Sequence, residues 1–301
     1  MVVLPTSLAL LVSACGTSPV AASDTAGAAS AVIRVVAAEN FWGSIAAQLG
    51  GSRVAVTSII TNPDTDPHSY EPTPADAVRV ARSRLVIVNG VGYDPWLPRL
   101  LAADDGRRSV LDVGALVGAP DGANPHRWYN PADVRRVISR ITADYEAIDP
   151  ADRSLFASRE ASFESVDLGP YDTTVAAIRA RYSGTAVGAS ESIFAMLAPA
   201  LGLDLVTPPG FLRAISEGTD VSAADKATAD RQISAHRIRI YVYNSQNVTP
   251  DVRAQLAEVR AAGIPAVTIT ETLTPPGTTY QAWQTRQLLA IQAALARAAA
   301  R

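Results

Sequence analysis

Two of the three histidines in this chain stand in proline-rich surroundings, and an imidazole held still in a loop is a nitrogen donor fit for a metal ion. His68 lies in Asp66-Pro67-His68-Ser69-Tyr70-Glu71-Pro72-Thr73-Pro74-Ala75-Asp76, and His126 lies in Asn124-Pro125-His126-Arg127-Trp128-Tyr129-Asn130-Pro131. Pro63, Pro67, Pro72 and Pro74 each fix φ and confine the preceding residue to extended conformations, so ordering the first loop costs less entropy than ordering a flexible one. The remaining histidine, His236, lies in no ligand-like setting and reads as a surface residue. A divalent transition metal needs several nitrogen or oxygen donors converging from different parts of a fold. Imidazole suits zinc, iron and manganese, and carboxylates favour the harder ions.

The elements that must position such donors follow from the hydrophobic pattern. Short β-branched runs alternate with longer helix-like stretches, which predicts an α/β protein with mostly parallel sheets. Strands are expected near 33–38, 54–60, 85–89 and 109–112, and again near 186–189, 203–207, 238–243 and 266–270. Four and four predict two similarly built, Rossmann-like lobes, 32–149 and 183–301. Between the two sets of strands no strand is expected from 131 to 182. Asn130-Pro131 and Asp149-Pro150 each read as a helix start with proline in the first turn. Gly169-Pro170 predicts that the connecting helix, 150–182, is bent or in two parts, because an interior proline removes a backbone hydrogen bond.

The run Pro67-His68-x-Tyr70-x-Pro72-Thr73-x-x-Asp76, followed by Pro125-His126-x-Trp128-x-Asn130-Pro131, resembles the metal-binding, zinc/manganese type of solute-binding lipoproteins of ABC transporters. The resemblance continues through 81–97, through Ala189-Ser190-Glu191-Ser192-Ile193-Phe194 and through Ile269-Thr270-Glu271-Thr272-Leu273, so it covers nearly all of the chain after residue 32. It implies one divalent ion, Mn(II) or Zn(II) with Fe(II) a further candidate, held between the lobes by His68, His126, Glu191 and Glu271. Asn130 and Glu271 stand where the family commonly has aspartate. Glu191 stands where zinc-type relatives often have histidine and manganese- and iron-type relatives have glutamate.

Each of these residues has a plainer reading. His68 could be a surface histidine, His126 a ring stacked on Trp128, Glu191 a favourable charge at a helix amino terminus, and Glu271 a solvated strand-end carboxylate. Tyr70, Trp128 and Phe194 are expected as walls that exclude water from the donors or orient them.

The first residues predict a targeting segment. The apolar run Leu8-Ala9-Leu10-Leu11-Val12-Ser13-Ala14 ends in small residues before the only cysteine, Cys15, and resembles a bacterial lipobox. Residues 1–15 are thus expected to be a lipoprotein signal peptide with Cys15 the lipidated residue, and 16–31 a flexible tether rich in Ser, Ala, Thr and Gly. A net charge of −3 gives no bulk electrostatic case for nucleic acid. There is no His-Glu-x-x-His helix, Gly-x-Ser-x-Gly elbow or phosphate-binding glycine loop. Together these readings predict a monomeric, lipid-anchored protein on the extracytoplasmic face of the cell membrane, not an enzyme, that captures a metal ion and delivers it to a permease. The alternatives are a secreted zinc-dependent hydrolase and a surface adhesin with a structural metal.

Overall fold

The computed structural model describes residues 1–2, 32–65, 67–103, 106–120 and 122–300. Cys15, the rest of the expected signal peptide from residue 3, and the tether lie outside the described residues.

Two four-stranded, all-parallel sheets form the body, each flanked by helices. The first holds β1 (Ile33–Glu39), β2 (Val54–Ile60), β3 (Leu85–Val88) and β4 (Ser109–Asp112) in the order β2-β1-β3-β4. The second holds β5 (Ala186–Ala189), β6 (Asp204–Leu205), β7 (Tyr241–Asn244) and β8 (Ala266–Ile269) in the order β6-β5-β7-β8. Central strands of parallel sheets are covered on both faces, which is why Leu85-Val86-Ile87-Val88 is continuously apolar and wholly buried. In each sheet the strand order reverses beside the first strand, between β1 and β3 and between β5 and β7. The crevice beyond the carboxyl ends of such strands is where open α/β sheets bind ligands.

Two strands are shorter than the sequence predicts. The expected strand 203–207 keeps only Asp204–Leu205, at the sheet edge, and Thr207 turns back so that its hydroxyl accepts the Ala189 N–H at 3.0 Å. The expected strand 238–243 begins at Tyr241. Pro265 has no N–H to give a ladder, so pairing with β8 starts at Tyr241↔Ala266.

Asn130 caps the helix Pro131–Ile148, its side-chain oxygen accepting the N–H groups of Ala132 and Asp133 at 2.9 and 3.3 Å. Residues 150–182 then form two helices, Arg153–Ser162 and Gly169–Tyr182, separated by a π-helical turn over Phe163–Asp167. Pro170 falls in the first turn of the second helix, where its missing N–H would have had no partner anyway.

One apolar core runs through both sheets and their helices. At its centre Phe41 stacks on Trp128, with ring centroids 3.9 Å apart and planes 17° from parallel. Both rings are fully buried, and truncating such a ring to alanine costs about 3–5 kcal/mol. Hydrogen bonds join the halves inside this core. Tyr129 donates its one proton to Thr270 O at 2.7 Å, with Gln287 Oε1 also within reach of the hydroxyl at 3.0 Å, and Tyr280 donates to Trp128 O at 2.6 Å. The last helix, Tyr280–Ala299, is also tied to the first, Asn40–Gly50, through Tyr280 N–H to Ser44 Oγ at 3.0 Å and the Gln48–Gln281 amide pair.

Candidate metal centre

His126, Glu191 and Glu271 come together from three strand-end loops, with one ligand atom of each lying within 4.8 Å of those of the others. Glu191 follows β5 and Glu271 follows β8, while His126 comes from the loop that leads from β4 towards the helix Pro131–Ile148. His126 and Glu191 are buried and Glu271 is partly buried. His68 is outside this three-group cluster. It is exposed, sits in the short turn Pro67–Ser69, and lines the same cleft of about 480 Å³ as His126 and Glu271.

Neighbouring hydrogen bonds set the tautomer of both histidines. Asn124 Nδ2 donates to Ser192 O at 2.6 Å, which turns Asn124 Oδ1 towards the His126 ring, and the His126 Nδ1–H donates to that oxygen at 2.8 Å. In the same way the His68 Nδ1–H donates to the Gly92 carbonyl at 3.0 Å. In each ring the basic lone pair is therefore on Nε2, the arrangement in which imidazole binds a metal. The His126 loop is itself anchored, because Asn89 Nδ2 donates to Pro125 O at 2.9 Å while Asn89 Oδ1 accepts the Trp42 indole N–H at 3.0 Å.

The carboxylates are held by a turn that carries no ligand of its own. Asn244, at the end of β7, donates through Nδ2 to Glu191 Oε1 at 2.8 Å and to Glu271 Oε1 at 2.7 Å. Asn247 donates to Glu191 Oε2 at 2.7 Å, and Tyr93 donates to Glu271 Oε2 at 2.8 Å. Gln246 Oε1 accepts the backbone N–H groups of Glu271 and Thr272 at 2.6 and 3.1 Å, and its Nε2 reaches across to Pro63 O at 2.9 Å.

Tyr93 occupies the middle of the site. Its ring meets His68 edge-on at 5.0 Å and His126 at 5.9 Å, and its hydroxyl reaches Glu271 in the other half of the chain. A left-handed stretch places it there: Gly90, Val91 and Gly92 have φ of 72°, 55° and 75°. Glycine is required at 90, where a Cβ would come within 2.4 Å of Asp112 Oδ1. Valine at 91 holds a conformation that β-branched residues avoid, a local strain of the kind found at functional sites.

Burial dominates the electrostatics. It lowers the His126 pKa to about 3, with the nearby His68 a smaller cause, so the ring is a neutral donor at any physiological pH. Burial, and after it the Glu271 carboxylate, raises Glu191 well above the ordinary glutamate range, against the opposing pull of the Asn244 and Asn247 amides. Tyr93 is raised too, by burial first and then by Glu271, and remains a hydrogen-bond donor. Glu39, fully buried at the end of β1, is pushed up by burial and then by Asp94.

Of the expected walls, Trp128 stands edge-on to His126 at 5.2 Å, and Phe194 is buried in the core. Tyr70 does not line the cleft. It donates to Asp76 Oδ2 at 2.8 Å and packs on Trp96, closing the proline loop onto the capping box formed by Thr73 and Asp76. His236 lies apart from the ligand cluster, with a left-handed φ of 51°. Sequence reasoning misses Asn244, Gln246 and Asn247. Their position immediately beyond β7, beside the point where strand order reverses, is the signal that could have found them.

The sequence profile of the family described as zinc-uptake complex component A, periplasmic, matches residues 35–294. Among curated proteins, the manganese-binding lipoprotein MntA of Halalkalibacterium halodurans is 26% identical over 161 residues, 52% of each chain. The iron-binding protein YfeA of Yersinia pestis is 30% identical over 114 residues, 36% of each chain. The chain thus spans about half the length, or less, of these curated relatives. The fold is shared with the Mn-bound periplasmic metal-binding protein of Candidatus Liberibacter asiaticus, with a TM-score of 0.73, 19% identity, and coverage of 87% of this chain and 99% of that one. It is shared also with the Ni-bound protein FpvC of P. aeruginosa, with a TM-score of 0.71, 17% identity, and coverage of 88% and 97%.

The raised Glu191 pKa makes a signed prediction for the metal-free protein. Glu191 holds its proton more tightly when folded, so its contribution to stability is fully present below the ordinary pKa of 4.5 and is lost as pH rises through the raised value. Glu191→Gln does not titrate, and the His126 contribution is common to both proteins. In denaturant unfolding of chelator-treated protein, Glu191→Gln should therefore gain on wild type between about pH 5 and about pH 8. A stability difference that does not change with pH would contradict this.

Proposed function

Because the chain belongs to the family of the periplasmic A component of zinc-uptake complexes, we propose that it is the extracytoplasmic solute-binding part of an ABC transporter for a divalent transition metal. The cargo is Mn(II) or Zn(II), with Fe(II) a further candidate. His126, Glu191 and Glu271 bind it and His68 completes the set. The observation that carries this reading is the convergence of one neutral imidazole and two carboxylates from three separate loops, two of them fully buried.

The residues present suit such an ion. Two imidazoles with Nε2 as the basic nitrogen and two carboxylates give four donors and a net charge of −2, which a divalent cation neutralises. A buried carboxylate and a partly buried one this close repel each other when both are ionised, and a cation between them converts that repulsion into attraction. Four protein donors fill a tetrahedral shell and leave no place for the water that hydrolytic zinc sites keep, which supports capture rather than catalysis. His68, exposed on its own loop, is the donor able to join or leave with least disturbance to the core. Glu191 and Glu271 belong to the second sheet and the two histidines to the first, so handing the ion to a permease means separating donors across the cleft. The continuous core and the hydrogen bonds through Tyr129 and Tyr280 favour loop movement over a wide hinge swing.

Among the described residues no helix is long and apolar enough to cross a membrane. Attachment through a lipid on Cys15 fits the lipobox-like sequence and the word lipoprotein in the names of relatives such as MntA. A monomer is the expected oligomeric state.

Competitive titration of the metal-free protein with Zn(II) and Mn(II) tests the reading. Wild type should bind both, and His126→Ala and Glu191→Ala should each lose more than the roughly 100-fold at the upper end of outer-shell substitutions. Removing the more loosely placed His68 should cost less than removing His126. Equal binding by wild type and His126→Ala would defeat the proposal. For the anchor, a Cys15→Ala chain should move from the membrane fraction to the soluble fraction, and unchanged membrane retention would remove Cys15 from that role.

A further inference from the structure

The turn Asn244–Asn247 does not bind the ion in the reading above, yet it fixes the shape of what does. All four oxygens of Glu191 and Glu271 already accept a hydrogen bond: the two Oε1 atoms from Asn244 Nδ2, Glu191 Oε2 from Asn247 and Glu271 Oε2 from Tyr93. The donors cannot turn away at little cost. Asn244 is fully buried, its Oδ1 accepts the Gln246 N–H at 2.9 Å, and its own N–H is bound by Ser190 Oγ at 3.1 Å. That leaves only its NH₂ to face the carboxylates. Asn247 Nδ2 also donates to Ile215 O at 3.1 Å, which sets the direction of its amide.

We propose that Asn244, together with Asn247 and Tyr93, is the specificity-determining positioning residue of the site: with both oxygens of each carboxylate hydrogen-bonded, chelation disturbs two of these bonds per carboxylate and single-oxygen binding only one, so the clamp selects a four-coordinate cation. This rests on the metal-capture reading and deepens it. A carboxylate that chelates with both oxygens must aim both at the cation and give up or distort the hydrogen bonds it holds there. With two imidazoles and two single-oxygen carboxylates the donor count is four, which satisfies Zn(II) and Co(II), whereas Mn(II) favours octahedral, oxygen-rich surroundings. The Irving–Williams order already places Zn(II) above Mn(II) at such a site, and the amide clamp widens the gap. Removing the clamp frees the carboxylates to chelate and narrows it.

The test uses the metal-free chain and two readouts, the visible spectrum of the Co(II) complex and the ratio of Zn(II) to Mn(II) affinities. Wild type should give the intense ligand-field bands of four-coordinate Co(II). Asn244→Ala should give the weak bands of a higher coordination number, with the Zn:Mn affinity ratio reduced about tenfold, the lower range for outer-shell substitutions. Asn247→Ala, which frees one oxygen of Glu191 only, should move both readouts in the same direction by less, and it decides the matter if Asn244→Ala does not fold. Weak bands in wild type, or variants with the wild-type spectrum and ratio, would overturn the inference while leaving metal capture intact. A wild-type chain that takes up neither Co(II) nor Zn(II) would overturn both.

Discussion

The repulsion between Glu191 and Glu271 is the constraint around which this end of the molecule is arranged. A buried carboxylate and a partly buried one this close cannot both be ionised without compensation, and burial together with the neighbouring charge raises Glu191 accordingly. The protein supplies part of the compensation as fixed dipoles. One amide bridges both groups and a second amide and a phenol hold the outer oxygens. In the proposed reading a divalent cation supplies the rest: the interaction that makes the metal-free site unfavourable would be the source of its affinity, with the amides holding the carboxylates in place for the ion.

Holding that arrangement requires the two sheets to be fixed relative to each other, and the core does so. Phe41 and Trp128 stack beneath the site, Tyr129 and Tyr280 bridge the halves, and the last helix packs back against the first. Every candidate donor then emerges from a loop beyond a strand's carboxyl end. Tyr93 links these levels. Its ring lies between the two histidines, its hydroxyl reaches the opposite half of the chain, and the left-handed Gly90-Val91-Gly92 stretch that carries it also provides the carbonyl that orients His68.

Much of this is legible in the sequence, for identifiable reasons. Parallel strands buried on both faces announce themselves as apolar β-branched runs, and proline after an asparagine or aspartate marks helix starts, so both sheets and the two-part connector are readable. The shortening of β7 is not, because Ile238 and Ile240 are as buried as a strand would make them, while pairing with both β5 and β8 starts at Tyr241. His126, Glu191 and Glu271 are readable through a family pattern, and the structure brings them together. It leaves His68 outside their cluster, on the rim of the shared cleft. Asn244 and Asn247 are hidden because asparagines beyond a strand look like turn formers. Tyr70 misleads in the opposite direction, since an aromatic two residues from a candidate ligand invites a role in the site, whereas its hydroxyl serves a helix cap.

The most direct test of the account is X-ray absorption spectroscopy of the zinc-loaded full chain, which counts donors by type and distance. The account predicts a first shell of two imidazole nitrogens and two carboxylate oxygens at about 2.0–2.2 Å. A shell without imidazole, or one made mainly of water oxygens, would contradict it.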